Sequence, residues 1–83
     1  MEKTINELTK LLEKPLSVME VVVDEIYFYE KSKNKFLTVV VDKVGGIDLD
    51  TIVEVSKKVS SIIDSIEVPV DNYVLDVISK ERG

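Results

Sequence analysis

The apolar residues of this chain switch between two spacings, and that rhythm limits its fold more than any single motif. Near the start they recur at Ile5, Leu8, Leu11, Leu12, Leu16 and Met19, the three-and-four spacing of one helix face. From Val21 to Glu30, and again from Phe36 to Asp42, the spacing drops to two, the period of a half-buried strand. The helical period returns from Leu49 to Ser65. There Leu49, Ile52, Val53, Val55, Val59, Ile62, Ile63 and, one residue beyond, Ile66 fill about half of the helical circle. Asn72 to Ser79 alternates once more as a third strand. The order is α-β-β-α-β. Three strands cannot close a barrel, so the pattern predicts an α+β two-layer sandwich, a three-stranded sheet with both helices on one face.

The breaks between elements carry their own chemistry. Thr4-Ile5-Asn6-Glu7 has the form of a capping box, with Thr4 as N-cap and Glu7 reaching back. Pro15 removes a hydrogen bond to the carbonyl of Leu11 and disfavours helical geometry at Lys14. The apolar stripe keeps its phase across the proline, which predicts one kinked helix, or two short ones in line, ending near Glu20. Lys31 to Lys35 reads as a polar hairpin loop. Gly45-Gly46 lets the chain leave the sheet through positive φ. Asp48 is the natural N-cap of the next helix, Ile47 and Ile52 fit a hydrophobic staple, and Asp50 complements the helix dipole. Ser56 and Ser60 fall inside the apolar arc, where small side chains would let the helix lie close to the sheet. Pro69 stops any continuation of that helix, and Lys80 to Gly83 is expected to fray.

With helices on one face, the other face of the sheet is left open. The alternation assigns to it Tyr27, Tyr29, Phe36, Val40, Val74 and Ile78, with Asp42 and Asp76 among them. For a domain of this size that is a large apolar surface, and such surfaces mark partners.

Composition narrows the chemistry. A chain of 83 residues is one domain with a modest core. It has no cysteine, so a disulfide scaffold, a thiolate metal site and a cysteine nucleophile are excluded. It has no histidine, which removes the commonest general base and the commonest metal ligand. No constellation of the remaining residues points to a reaction, a cofactor or a metal. The net charge of −5 disfavours nucleic acid and anionic lipid and favours a basic partner. Apolar runs are too short to span a bilayer, and the first residues lack a signal-peptide core, so the cytoplasm is the expected compartment.

An ordered set of short motifs resembles the N-terminal domain of the bacterial ribosome maturation factor RimP. The set is Val41-Asp42 at a strand end, Gly46-Ile47, Leu49-Asp50 opening a helix, Val55-Ser56 within it and Asp64 near its end. Tyr73-Val74-Leu75-Asp76-Val77-Ile78-Ser79 then follows, and Pro15 lies within the first helix. The family often has a glycine near Val21, a cysteine where Ile52 stands, and a proline after the last strand where this chain reads Lys80-Glu81-Arg82. The family also carries a second, small β-barrel domain after this motif. Residues 1–83 are read as a single domain of the first kind, with the C-terminal barrel absent.

The resemblance implies a KH-like outline and assembly work rather than catalysis. The implied partners are the immature small ribosomal subunit and the strongly basic small-subunit ribosomal protein twelve. On this reading Asp42, Asp76, Tyr27, Tyr29, Val40 and Ile78 form the partner-binding surface. Asp42 and Asp76 are the acids of interest, because strand acids do not cap helices. Gly45, Gly46, Asp48 and Asp50 are read as turn and capping residues. Lys31, Lys33 and Lys35 form the basic cluster where weak ribosomal RNA contact would fall. The Gly-x-x-Gly loop with which KH domains clamp RNA does not occur. Two alternatives stand beside the protein-binding reading. The open face could pack on a missing C-terminal domain or on a second copy of the chain, or the lysine hairpin could contact ribosomal RNA directly.

Overall fold

The computed structural model describes residues 2–80. Its elements follow the predicted order: α1 (Glu2–Ser17), β1 (Val22–Lys31), β2 (Asn34–Asp42), α2 (Leu49–Asp64) and β3 (Tyr73–Ser79). The sheet order is β1-β2-β3, with β1 antiparallel and β3 parallel to the central β2. The parallel pair needs a crossover, and α2 supplies it.

Both helices pack on the same face of the sheet. Leu8, Leu12 and Leu16 of α1 and Val55, Val59 and Ile63 of α2 meet Ile26, Leu37, Val39 and Val41 in one core. The spacing of these residues is the predicted one, and the driving force is removal of their apolar area from water. The predicted apolar arcs are wider than the buried ones. Leu11 is exposed on α1, and Leu49 and Val53 are exposed on α2, where the expected stripe placed them in the core. Of the two serines within the predicted arc, Ser56 is half-buried and Ser60 is exposed.

α1 is one continuous helix through Pro15, and it begins at Glu2, so Thr4 lies inside its first turn rather than at a cap. It ends at Ser17, not near Glu20. The corner is closed by the Val21 amide donating to the Leu16 carbonyl at 2.9 Å, with Glu20 at φ 62°. A left-handed residue of this kind usually ends a helix as glycine.

The β1–β2 connection is shorter than the expected loop. Lys31 pairs directly with Asn34, leaving a two-residue turn of Ser32 and Lys33 with φ 51° and 67°. Positive φ at both central residues is the signature of a type I′ turn, which matches the twist of the strands it joins. β1 also contains a bulge between Val23 and Glu25, which leaves Asp24 without a register partner on β2. Lys80 is held rather than frayed, its amide donating to the Val41 carbonyl at 2.8 Å. The rest of the segment expected to fray, residues 81–83, lies outside the described residues.

Candidate protein-binding face

The register assembles the open face row by row. Tyr29, Phe36 and Val74 form one row across the three strands. Tyr27, Thr38 and Asp76 form the next, then Glu25, Val40 and Ile78, and finally Val22 with Asp42. All six residues predicted for the partner surface therefore share this face: Tyr27, Tyr29, Val40, Ile78, Asp42 and Asp76. They do not contribute alike. Tyr29 and Ile78 are 39% and 38% exposed, whereas Val40 is buried by its neighbours and forms the floor. Val74 and Val22, at 52% and 59%, present more apolar surface than either. Val22 was missed because the bulge at Asp24 shifts the alternation of β1 by one residue.

Aromatic rings organise one end of the face. Tyr29 stacks on Phe36 with centroids 4.9 Å apart, and Tyr27 lies tilted against Tyr29 at 5.8 Å. Cross-strand aromatic pairs of this geometry stabilise the sheet while leaving ring edges and faces available to a partner. Thr38, central on the middle strand, is 1% exposed, and its hydroxyl has no hydrogen-bond partner.

The opposite end is acidic. Glu25 and Asp42 stand there on the face and Asp24 adjoins it at the bulge, while Asp76 sits nearer the rings, in the row of Tyr27. The ammonium of Lys80 reaches Asp24 Oδ1 at 3.1 Å, spanning the width of the sheet from beyond β3 to β1. With both side chains partly exposed, this ion pair is worth little in stability. Its consequence is local: the acidic end carries its own cation.

Asp42 also has a local role. Its Oδ1 accepts the Lys43 backbone N–H at 2.8 Å, fixing the chain as it leaves β2. The turn then closes through the Gly46 N–H and the Lys43 carbonyl at 2.9 Å, with Gly45 and Gly46 at φ 88° and 95°. Asp48 caps α2, its Oδ1 accepting from the Thr51 N–H at 2.8 Å. Hydrogen bonds from Thr51, helped by the charge of Lys43, hold the Asp48 carboxyl below its ordinary pKa. Ile47 and Ile52 both pack on the core, as a staple requires. Asp50 lies in the first turn of α2. The glycine and capping positions read from the sequence are thus explained by backbone geometry.

The three lysines of the hairpin do not form one surface. Alternation places Lys31 on the open side and Lys35, opposite Glu30, on the helix side, with Lys33 in the turn between them. Among the described residues no group of three or more acidic side chains is placed to hold a metal ion, and no helix is long and apolar enough to cross a membrane.

Residues 11–80 match the family model described as the RimP N-terminal domain. The matched stretch runs from within α1 to the residue after β3, so it takes in the whole sheet and the whole of α2. The chain belongs to the RimP N-terminal domain family, a family of ribosome maturation factors.

Proposed function

We propose that this domain acts without catalysis in assembly of the small ribosomal subunit, in the cytoplasm, by receiving a basic ribosomal protein on its open sheet face. The partner implied by the resemblance is small-subunit ribosomal protein twelve. The observation that carries the reading is the one-sidedness of the sheet. Both helices cover one face, while the other presents stacked aromatics and exposed valine and isoleucine beside Glu25, Asp42 and Asp76. Complementary charge would speed and orient docking, and the apolar rows would supply holding energy once water is displaced. The partner's cations would compete with Lys80 at the acidic end, an exchange of one ion pair for another.

The test is a titration of the chain with purified small-subunit ribosomal protein twelve at low and at physiological salt. Binding should weaken as salt rises. The double substitution Asp42→Asn with Asp76→Asn should weaken it further, by about ten-fold or more. Because Asp42 also fixes the Lys43 amide, asparagine rather than alanine is used, since its side-chain oxygen still accepts that bond. Binding that ignores both salt and the substitutions would remove the acidic end from the interface. No binding at either salt would leave the open face to another domain or a second copy.

A further inference from the structure

β3 ends the sheet on a free edge, and three observations make that edge unlike the β1 edge. The first concerns hydrogen bonding. The Lys80 amide points at β2, and amides alternate in direction along a strand. Val74, Asp76 and Ile78 therefore bond to β2, while Tyr73, Leu75, Val77 and Ser79 direct their N–H and C=O groups away from the sheet. Among the described residues no strand pairs with them.

The second concerns protection. β1 guards its edge with a bulge and with Asp24, Glu25 and Glu30. β3 runs in unbroken register from Tyr73 to Ser79 with no proline, no lysine and a single acid, Asp76. Regular, lightly guarded edges are templates for another strand.

The third concerns packing. Leu37, Val39 and Val41 on the helix side of β2 are fully buried, whereas Tyr73, Leu75 and Val77 on β3 are only half-buried. α2 leaves them so. Its stripe of Leu49, Val53, Ser60 and Asp64 lies to one side of the buried Val55, Val59 and Ile63. This stripe flanks β3 at both ends. Leu49 shares a shallow concavity with Ser79, and the charge of Asp64 reaches Tyr73. Leu49 and Val53 are 82% and 50% exposed along it. The β3 edge thus joins outward main-chain groups to half-buried Tyr73, Leu75 and Val77, beside a helix whose Leu49 and Val53 are exposed.

The geometry points to strand addition: an extended, basic protein segment that alternates apolar and Lys or Arg residues docks along β3 as a fourth strand. Main-chain bonds to Tyr73, Leu75, Val77 and Ser79 would hold it. Its apolar side chains would pack between Leu75, Val77 and Val53. Charge selects the occupant. Asp64 and Asp71 stand toward the Tyr73 end, Asp48 and Asp50 toward Ser79, and Asp76 on the sheet's far side; they outnumber the nearby lysines, Lys35 in register beside Tyr73, Lys43 near Asp48 and Lys57 one turn along α2 from Val53. Lys80 is drawn off to Asp24. This site is separate from the open-face reading and stands whether or not that reading holds.

The experiment is residue-resolved amide exchange on the whole chain, with an octapeptide of alternating lysine and valine as probe. Free, the amides of Tyr73, Leu75, Val77 and Ser79 should exchange much faster than those of Val74, Asp76 and Ile78. Saturating peptide should slow those of the first group that face it by about ten-fold or more and leave the second group unchanged. A peptide with glutamate in place of lysine, or one N-methylated on the edge facing the chain, should give no protection. Val53→Lys, on a half-exposed position that keeps the ladder intact, should weaken the lysine peptide by about ten-fold. Asp42→Asn, on the open face, should leave it unchanged. Failure of the lysine peptide to bind, or shifts confined to Tyr27, Tyr29 and Ile78, would overturn the proposal. So would protection of the outward amides that rises with chain concentration in the absence of peptide, because a second copy would then own the edge.

Discussion

The two faces of β2 differ more than their residues suggest. Leu37, Val39 and Val41 point one way, Phe36, Thr38 and Val40 the other, and both sets are mostly apolar. On the first side two helices complete the layer, and all three side chains are fully buried. On the second there is no layer. Burial there comes from neighbours in the same sheet, so it is deep at the centre and shallow at the edges: Thr38 is 1% exposed and Val74 is 52%. Burial on a strand is therefore not a property of the face alone. A central residue can be hidden by its flanking strands without being packed against anything above it.

The helix-covered face should carry most of the stability. Leu37→Ala leaves a cavity among residues of both helices and should cost about 2–5 kcal/mol, a large share of what a domain this size possesses. Urea denaturation followed by circular dichroism checks it. If the loss were no larger than that of an open-face truncation, the two faces would not be distinct layers.

Tyr29→Ala is the matching truncation on the open face. It removes a ring stacked on Phe36, but that ring is already 39% exposed. The expected cost is about 0.5–1.5 kcal/mol, the value of an aromatic pair with limited burial. The same substitution should be far more damaging to partner binding than to folding, if the open face is the interface. Measuring both quantities on one variant sharpens the contrast. A residue important to folding alone would lower the denaturation midpoint and leave binding by the folded fraction intact.

The faces were legible in the sequence because alternation and helical spacing are direct consequences of where the backbone aims each side chain. Element order, the capping of α2 by Asp48 and the positive φ of Gly45 and Gly46 followed from the same local chemistry. What the sequence concealed was set by longer-range geometry. Ser32-Lys33 carries none of the asparagine or glycine that announces a two-residue turn, yet the register of the flanking strands forces both residues to positive φ. Glu20 ends α1 in the same conformation without the usual glycine. The bulge at Asp24 has no local marker at all, and it is what brings Val22 onto the open face and frees Asp24 to meet Lys80. The apolar stripe of α2 looked wider than it is because nothing in the period of 3.6 says where the sheet ends. Leu49 and Val53 belong to the helix's apolar side and are exposed all the same.

Thr38 gives the smallest and most pointed test, because its effect should have the opposite sign. Its hydroxyl is buried between the strands with no hydrogen bond. Hydroxyls left so are costly, since water is lost and nothing replaces it. The β-branched shape itself suits a central strand. Thr38→Val keeps that shape and removes the unpaired group, so it should stabilise the chain by about 1 kcal/mol. Were the hydroxyl hydrogen-bonded in solution, exchanging it for a methyl would remove that bond and the gain would vanish. A raised denaturation midpoint for Thr38→Val, beside a large loss for its neighbour Leu37→Ala, would establish that the open face hides an unpaired polar group at its centre while the packed core lies on the other side of β2. An open face of that kind is already poor in water at its centre, so a partner settling on it has mainly the exposed rim, Tyr29, Val74, Ile78 and Val22, left to dehydrate.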